Sequence, residues 1–100
     1  MDKYTIKLYT RANQDLDKIY DYIAHNLSEP GIAKGFINDL KKAVFSLEQF
    51  PERGSIRRIG AYANGKYIQL FVKNHVIVYR VLKEKKEVHI VTIRYAPSQF

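Results

Sequence analysis

The chain has 100 residues and no cysteine, with 17 Lys plus Arg against 10 Asp plus Glu and a formal net charge of +7. One domain spanning 1–100 is expected, since 46% apolar residues supply a core at this length but leave no space for a second unit. Disulfide scaffolds and thiolate metal centres are excluded, and no apolar run approaches the ~18 residues of a membrane span.

Residues 3–10 alternate. Tyr4, Ile6 and Leu8 point one way, and Lys3, Thr5, Lys7 and Tyr9 the other, which predicts a half-buried strand. The period changes at Thr10, whose hydroxyl suits a helix N-cap. Ala12, Leu16, Ile19, Ile23 and Leu27 then recur at helical spacing, predicting a helix to Asn26–Ser28. Asp15 and Asp17 fall early, where the dipole favours acids. With Asp21 they read as solubilising residues on the polar side.

Ser28-Glu29-Pro30-Gly31 reads as a break and a restart, with Ser28 as a cap and Pro30 in a first turn. A second stripe follows at Ala33, Phe36, Ile37, Leu40, Val44 and Leu47, ending at Phe50-Pro51. The short link predicts an antiparallel helical hairpin.

Residues 51–65 read as a basic loop. Gly60 and Gly65 there lack the Lys-Ser/Thr of a phosphate-cradling loop. Strands are predicted near 66–72, 75–82 and 88–95, with turns at Lys73-Asn74 and Lys83–Lys86. The stretch His75–Leu82 is nearly all apolar, so it is expected at the sheet centre, covered on both faces. The fold class is α+β, in the order β-α-α-β-β-β. The helical hairpin packs on one face of a mostly antiparallel four-stranded sheet.

Charge is unevenly placed. Residues 1–50 carry seven basic and seven acidic side chains, whereas residues 51–100 carry ten and three. The second half therefore points to an anionic partner. Candidate binding residues are Arg53, Arg57, Arg58, Lys66, Lys73, Arg80, Arg94 and Tyr95, with Tyr62, Tyr67 and Tyr79 interleaved. Guanidinium groups pair with phosphates, and tyrosine rings stack on bases. The same cations also suit a solvated surface, and the Lys83–Lys86 turn is read that way.

His75 and Tyr95 form a candidate acid–base pair for RNA cleavage, although His75 equally suits a plain strand-edge residue. His25 reads as a cation at a helix end, and His89 as a surface strand position. The three histidines lie too far apart for a local metal motif, and no metal or cofactor is expected. Met1-Asp2-Lys3-Tyr4 lacks the apolar core of a signal peptide, so a cytoplasmic setting is expected.

Several motifs run along the chain in order. They are Ala12-x-x-Asp15-Leu16-x-x-Ile19-Tyr20-x-Tyr22-Ile23, Phe36-x-x-x-Leu40, Leu47-x-x-Phe50-Pro51-x-x-Gly54, Val78-Tyr79-Arg80-Val81 and Ile93-Arg94-Tyr95. Together they resemble the RelE/ParE superfamily of bacterial toxins. The resemblance implies a growth-inhibiting toxin of a type II toxin–antitoxin system. Its partner would be a cognate antitoxin with an acidic wrapping segment and a DNA-binding domain.

Two branches then differ in target. ParE-like members poison DNA gyrase and are not nucleases. RelE-like members are endoribonucleases that cleave mRNA on the ribosome. The predicted helix with Asp15-Leu16, Ile19-Tyr20 and Tyr22-Ile23 and the Phe50-Pro51-x-x-Gly54 loop look ParE-like. Gln69 and Val76 stand where RelE-like nucleases resemble one another in carrying cations, and Arg94-Tyr95 is followed by Ala96-Pro97. In a RelE-like enzyme, Arg58 and Arg94 would stabilise the phosphate, with His75 or Tyr95 moving protons. A non-toxic basic module that binds RNA or protein is the remaining alternative.

Overall fold

The computed structural model describes residues 3–96. The readings at Met1, Asp2 and Pro97 lie outside these residues. Strand β1 is Thr5–Leu8, followed by helix α1 (Thr10–Asp21), which continues into a π-helical turn at Tyr22–Asn26. Helix α2 is Pro30–Ser46. Then come β2 (Ser55–Ile56), β3 (Ile68–Val72), β4 (His75–Leu82) and β5 (Glu87–Tyr95). The sheet order is β1-β5-β4-β3-β2, with β1 parallel to β5 and every other pair antiparallel.

The expected class holds, with one more strand than the sequence reading gave. Ser55 and Ile56 pair with Gln69 and Ile68. Two residues are too few to show a period of two, which is why this strand reads as loop.

The main core lies between the helices and one sheet face. It joins Ala12 and Leu16 of α1, Phe36, Leu40 and Val44 of α2, and Ile77, Tyr79, Val88, Ile90 and Ile93 of the sheet. Strand β4 is central and covered on both faces, as its apolar run requires. On the helix-free face Val76 and Val78 form a second, smaller core with Ala96, under Tyr62 and Tyr67.

Several local expectations change. Tyr9, not Thr10, is the cap of α1, and no side chain caps it. The amide of Tyr9 still bonds the carbonyl of Ile90 inside the sheet, so the chain passes from strand to helix in one residue. Glu29, not Ser28, precedes α2, with Pro30 as its first residue. Ser28 instead makes the link, at a φ of 53°. Helix α2 stops at Ser46, and hydrogen-bonded turns carry the chain to Phe50. The α1 stripe holds through Ile23, but Leu27 is 53% exposed. The π turn inserts one residue per turn and rotates Leu27 off the core face.

Asp15 departs furthest from its reading. The first turn of α1 carries no acid, and Asp15 is not a solubilising residue. Its Oδ2 accepts the Thr92 hydroxyl and, at 3.0 Å, the Ile93 amide. Pairing with β1 ends at Ile90. The carboxylate therefore occupies the edge of β5 that β1 leaves bare.

Gly54 explains a second motif. Its amide donates to the Tyr79 hydroxyl at 3.0 Å, and a Cβ there would stand 2.2 Å from the Gln69 carbonyl oxygen. Only glycine lets the chain approach the β3 backbone this closely where β2 begins, so Gly54 of Phe50-Pro51-x-x-Gly54 marks the entry to the edge strand.

Two outcomes are expected in urea unfolding. Gly54→Ala should lose about 1–3 kcal/mol, the usual cost of forcing atoms into packed space. Asp15→Ala should lose a similar amount, about 1–3 kcal/mol, by leaving the Ile93 amide and buried Thr92 hydroxyl unpaired. Faster hydrogen exchange at the Ile93 amide would identify that cause.

Candidate functional site

The strand register fixes which side chains share a face. Val76 lies opposite Arg94, Arg80 opposite His89, and Leu82 opposite Glu87. Lys7 lies beside His89 on the parallel side. With Val76 and Val78 in the helix-free core, Arg80, Arg94, His89, Glu87 and Lys7 belong to that same face. Tyr79, Ile77, His75 and Tyr95 point to the helix side.

The four residues considered for catalysis are therefore divided. His75 and Tyr95 are cross-strand neighbours, with ring centroids 5.3 Å apart. Phe36 lies 4.8 Å from His75 on its other side. Arg94 projects from the opposite face, where its Nε donates to Thr92 Oγ1 at 3.3 Å. Arg58 is exposed in the loop after β2. The structure pairs His75 with Tyr95 but brings neither arginine to them.

Arg57 is the largest departure among the binding candidates. It is 1% exposed. Its Nε donates to the Ala61 carbonyl, and its Nη1 to Gln69 Oε1 at 3.0 Å. The amide of Arg57 also bonds the Tyr67 carbonyl. Arg57 thus staples the 57–67 loop over the sheet, and burial draws its pKa below the ordinary value. A run of two arginines reads as surface because sequence does not show which one turns inward. Gln69 is the polar partner this staple needs.

The other candidates lie apart. Arg53 donates to Ser46 Oγ at 2.7 Å and ties the loop to the end of α2. Lys73 sits on the helix side, 3.4 Å from Asp39 and 5.4 Å from the Phe36 ring centre. Lys66 is exposed beside Arg58's loop. Arg80 lies over the Tyr67 ring at 5.8 Å. Tyr79 is fully buried, so it offers no stacking surface, and burial raises its pKa.

One linked group was not seen in the sequence. The Nε2–H of His89 donates to Glu87 Oε1 at 2.9 Å, and its Nδ1 shares a hydrogen bond with the Tyr9 hydroxyl at 3.0 Å. Lys7 reaches the other Glu87 oxygen at 3.1 Å. His89 and Lys7 together hold the Glu87 carboxyl below its ordinary range. Alternation puts these side chains on outward positions, but only the parallel β1–β5 pairing brings Lys7 and Tyr9 to His89. Among the described residues, no group of three or more His, Asp or Glu is placed to hold a metal ion. No described helix is long and apolar enough to cross a membrane.

A family model described as the ParE toxin of the type II toxin–antitoxin system parDE matches residues 6–99. No curated protein matches the chain. Among solved structures, the chromosomal ParDE toxin–antitoxin system from P. aeruginosa is similar at a TM-score of 0.77 and 24% identity, covering 96% of this chain and 99% of that one. The RelBE2 toxin–antitoxin complex from Mycobacterium tuberculosis is similar at a TM-score of 0.68 and 20% identity, covering 98% and 97%. An E. coli RelE toxin mutant in the free state matches at a TM-score of 0.58 and 16% identity, covering 91% and 81%.

His75 gives a pH test. Burial holds its imidazole below the ordinary value of 6.5. The folded protein therefore resists a proton that the unfolded chain accepts below about pH 6.5. Its stabilising contribution is complete above that pH and is lost as pH falls. His75→Phe keeps a ring against Phe36 and Tyr95. Its urea midpoint should fall less than the parent's between about pH 7 and pH 5; equal falls would reject the assignment.

Proposed function

We propose that this chain, which belongs to the ParE toxin family of type II toxin–antitoxin systems, inhibits growth by acting on DNA gyrase rather than by cutting RNA. The observation that carries this reading is the division of the acid–base candidates. His75 and Tyr95 face the helices, whereas Arg94 leaves the sheet on the other side. A nuclease needs its proton carriers and its phosphate-stabilising cations within reach of one phosphodiester.

The activity is then one of binding. The cations of the second half meet an anionic target, and no covalent step is required of them. Arg58 and Lys66 are both exposed on the 57–67 loop, from which they reach outward. A cognate antitoxin is the neutralising partner, and the excess of +7 matches an acidic segment on it. The structural likeness to a toxin–antitoxin complex supports that pairing.

A ribosome-dependent endoribonuclease is the second reading. It is favoured by the helix-free face, where Lys7, Arg80 and Arg94 share one surface with the hydrogen-bonded His89. That set differs from the His75–Tyr95 pair, and it would cut RNA through His89.

One pair of assays separates the two. The purified protein should inhibit supercoiling by gyrase and leave mRNA intact on programmed ribosomes. Unchanged supercoiling at large protein excess would reject the gyrase reading. Ribosome-dependent cleavage abolished by His89→Ala would establish the second. Induction without antitoxin should arrest growth under either reading, and normal growth would reject both.

A further inference from the structure

The loop between β2 and β3, residues 57–67, is held more firmly than its exposed residues require. Arg57 lies beneath it, bonded to the Ala61 carbonyl and to Gln69. The Ala63 amide bonds the Gly60 carbonyl at 3.3 Å, and the Lys66 amide bonds Asn64 Oδ1 at 3.0 Å. Tyr62 packs on Val76 and Val78 and meets the Tyr67 ring edge-on, 5.2 Å between centroids.

This order is costly. Burying a guanidinium gives up its hydration, and an apolar side chain of similar volume often serves stability as well. What a bonded buried charge adds is a single conformation. The backbone is also strained. Gly60 and Gly65 take φ of 83°, as glycine readily does, but Tyr62 takes 69° with a full side chain. Strain of this kind persists only where the surroundings enforce it, and it gathers at working segments. Above this frame Ile59 is 60% exposed, next to exposed Arg58, with Lys66 exposed at the other end of the loop. No acid occurs among residues 57–67.

We propose that the 57–67 loop is the element that grips the target protein. Ile59 is its apolar anchor, Arg58 and Lys66 pair with carboxylates around a hollow on the target, and Arg57 is the positioning residue beneath them. The chemistry selects a protein over nucleic acid. The residue between Arg58 and Gly60 is aliphatic, and both rings of the loop, Tyr62 and Tyr67, pack inward and offer no free stacking platform. A pre-ordered loop also gains most against a folded surface, since neither side then loses freedom on binding. The inference rests on the gyrase reading and names the surface that does the binding.

The test measures the concentration of full-length toxin that half-inhibits supercoiling by gyrase, beside calorimetric titration with the antitoxin encoded next to it. Ile59→Ser should raise the inhibitory concentration about tenfold or more, as loss of an interface anchor does. The double variant Arg58→Ser/Lys66→Ser should raise it as well. Lys85→Ser, which removes a charge from the β4–β5 turn, should leave it within about twofold. These side chains are exposed, so the Tm should stay constant. Gln69→Leu removes the Arg57 acceptor. It should speed hydrogen exchange at the Ala63 amide and weaken inhibition while antitoxin affinity holds, and Gln69→Glu, which keeps an acceptor, should restore both.

Wild-type inhibition by Ile59→Ser and by the double variant would overturn the proposal and leave the gyrase reading intact. Absence of inhibition by the wild type would overturn both. Inhibition lost in the double variant but kept in Ile59→Ser would assign the contact to phosphates of gyrase-bound DNA and overturn the protein contact. Antitoxin affinity lost in Ile59→Ser, with inhibition unchanged, would give the loop to the antitoxin and also overturn it. Unchanged inhibition by Gln69→Leu despite faster exchange would remove the positioning role of Arg57.

Discussion

Strand β5 is nine residues long, and β1, its outer neighbour, is only four. The backbone beyond Ile90 would therefore be an open edge buried beneath a helix, which proteins do not leave unpaired. A single carboxylate resolves this. Asp15 takes the Ile93 amide and the Thr92 hydroxyl, and so fixes α1 across the end of the sheet. The position of α1 in turn places Phe36 and Leu40 of α2 over Ile77 and Tyr79. Lys18 and Ile19 of α1 also line a groove that ends at Tyr95. The core is apolar, but its alignment is set by this polar bond.

Much of the fold is legible in the sequence because it rests on periodicity. The stripes of α1 and α2 and the continuous run of β4 each declare what they bury. What is hidden depends on pairings across the chain. Asp15 looks like any acid on a helix surface, since its partners lie 77 and 78 residues away. Arg57 looks like its exposed neighbour Arg58, and only Gln69 and the Ala61 carbonyl reveal that it turns inward. Leu27 fits a four-residue step, but the π turn breaks the step just before it. The candidate site was legible in its residue types and in the His75–Tyr95 adjacency, which a hairpin register produces. Its division between two faces was not, because that depends on counting strand residues from an uncertain start.

The net charge also changes meaning once its carriers are placed. Lys7 faces Glu87, Lys73 faces Asp39, and Lys83 faces Glu52 at 2.9 Å. Arg57 is internal. These cations serve the molecule's own geometry before they serve any partner. Exposed ion pairs of this kind add little stability, yet they lower the field that a ligand would meet. The half-by-half count therefore overstates the strength of any anion-binding surface.

The parallel pairing of β1 with β5 has a consequence for the order of synthesis. Strand β1 emerges from the ribosome first among the described strands, yet its one sheet partner is made last. Strands β3, β4 and β5 meet through tight turns and can join as soon as they appear. β1 and the Asp15 clamp must wait for β5, across a loop closure that spans the domain. During translation the helices thus exist without the edge that positions them. The groove, which Tyr95 helps to line, is absent from any nascent chain that lacks β5.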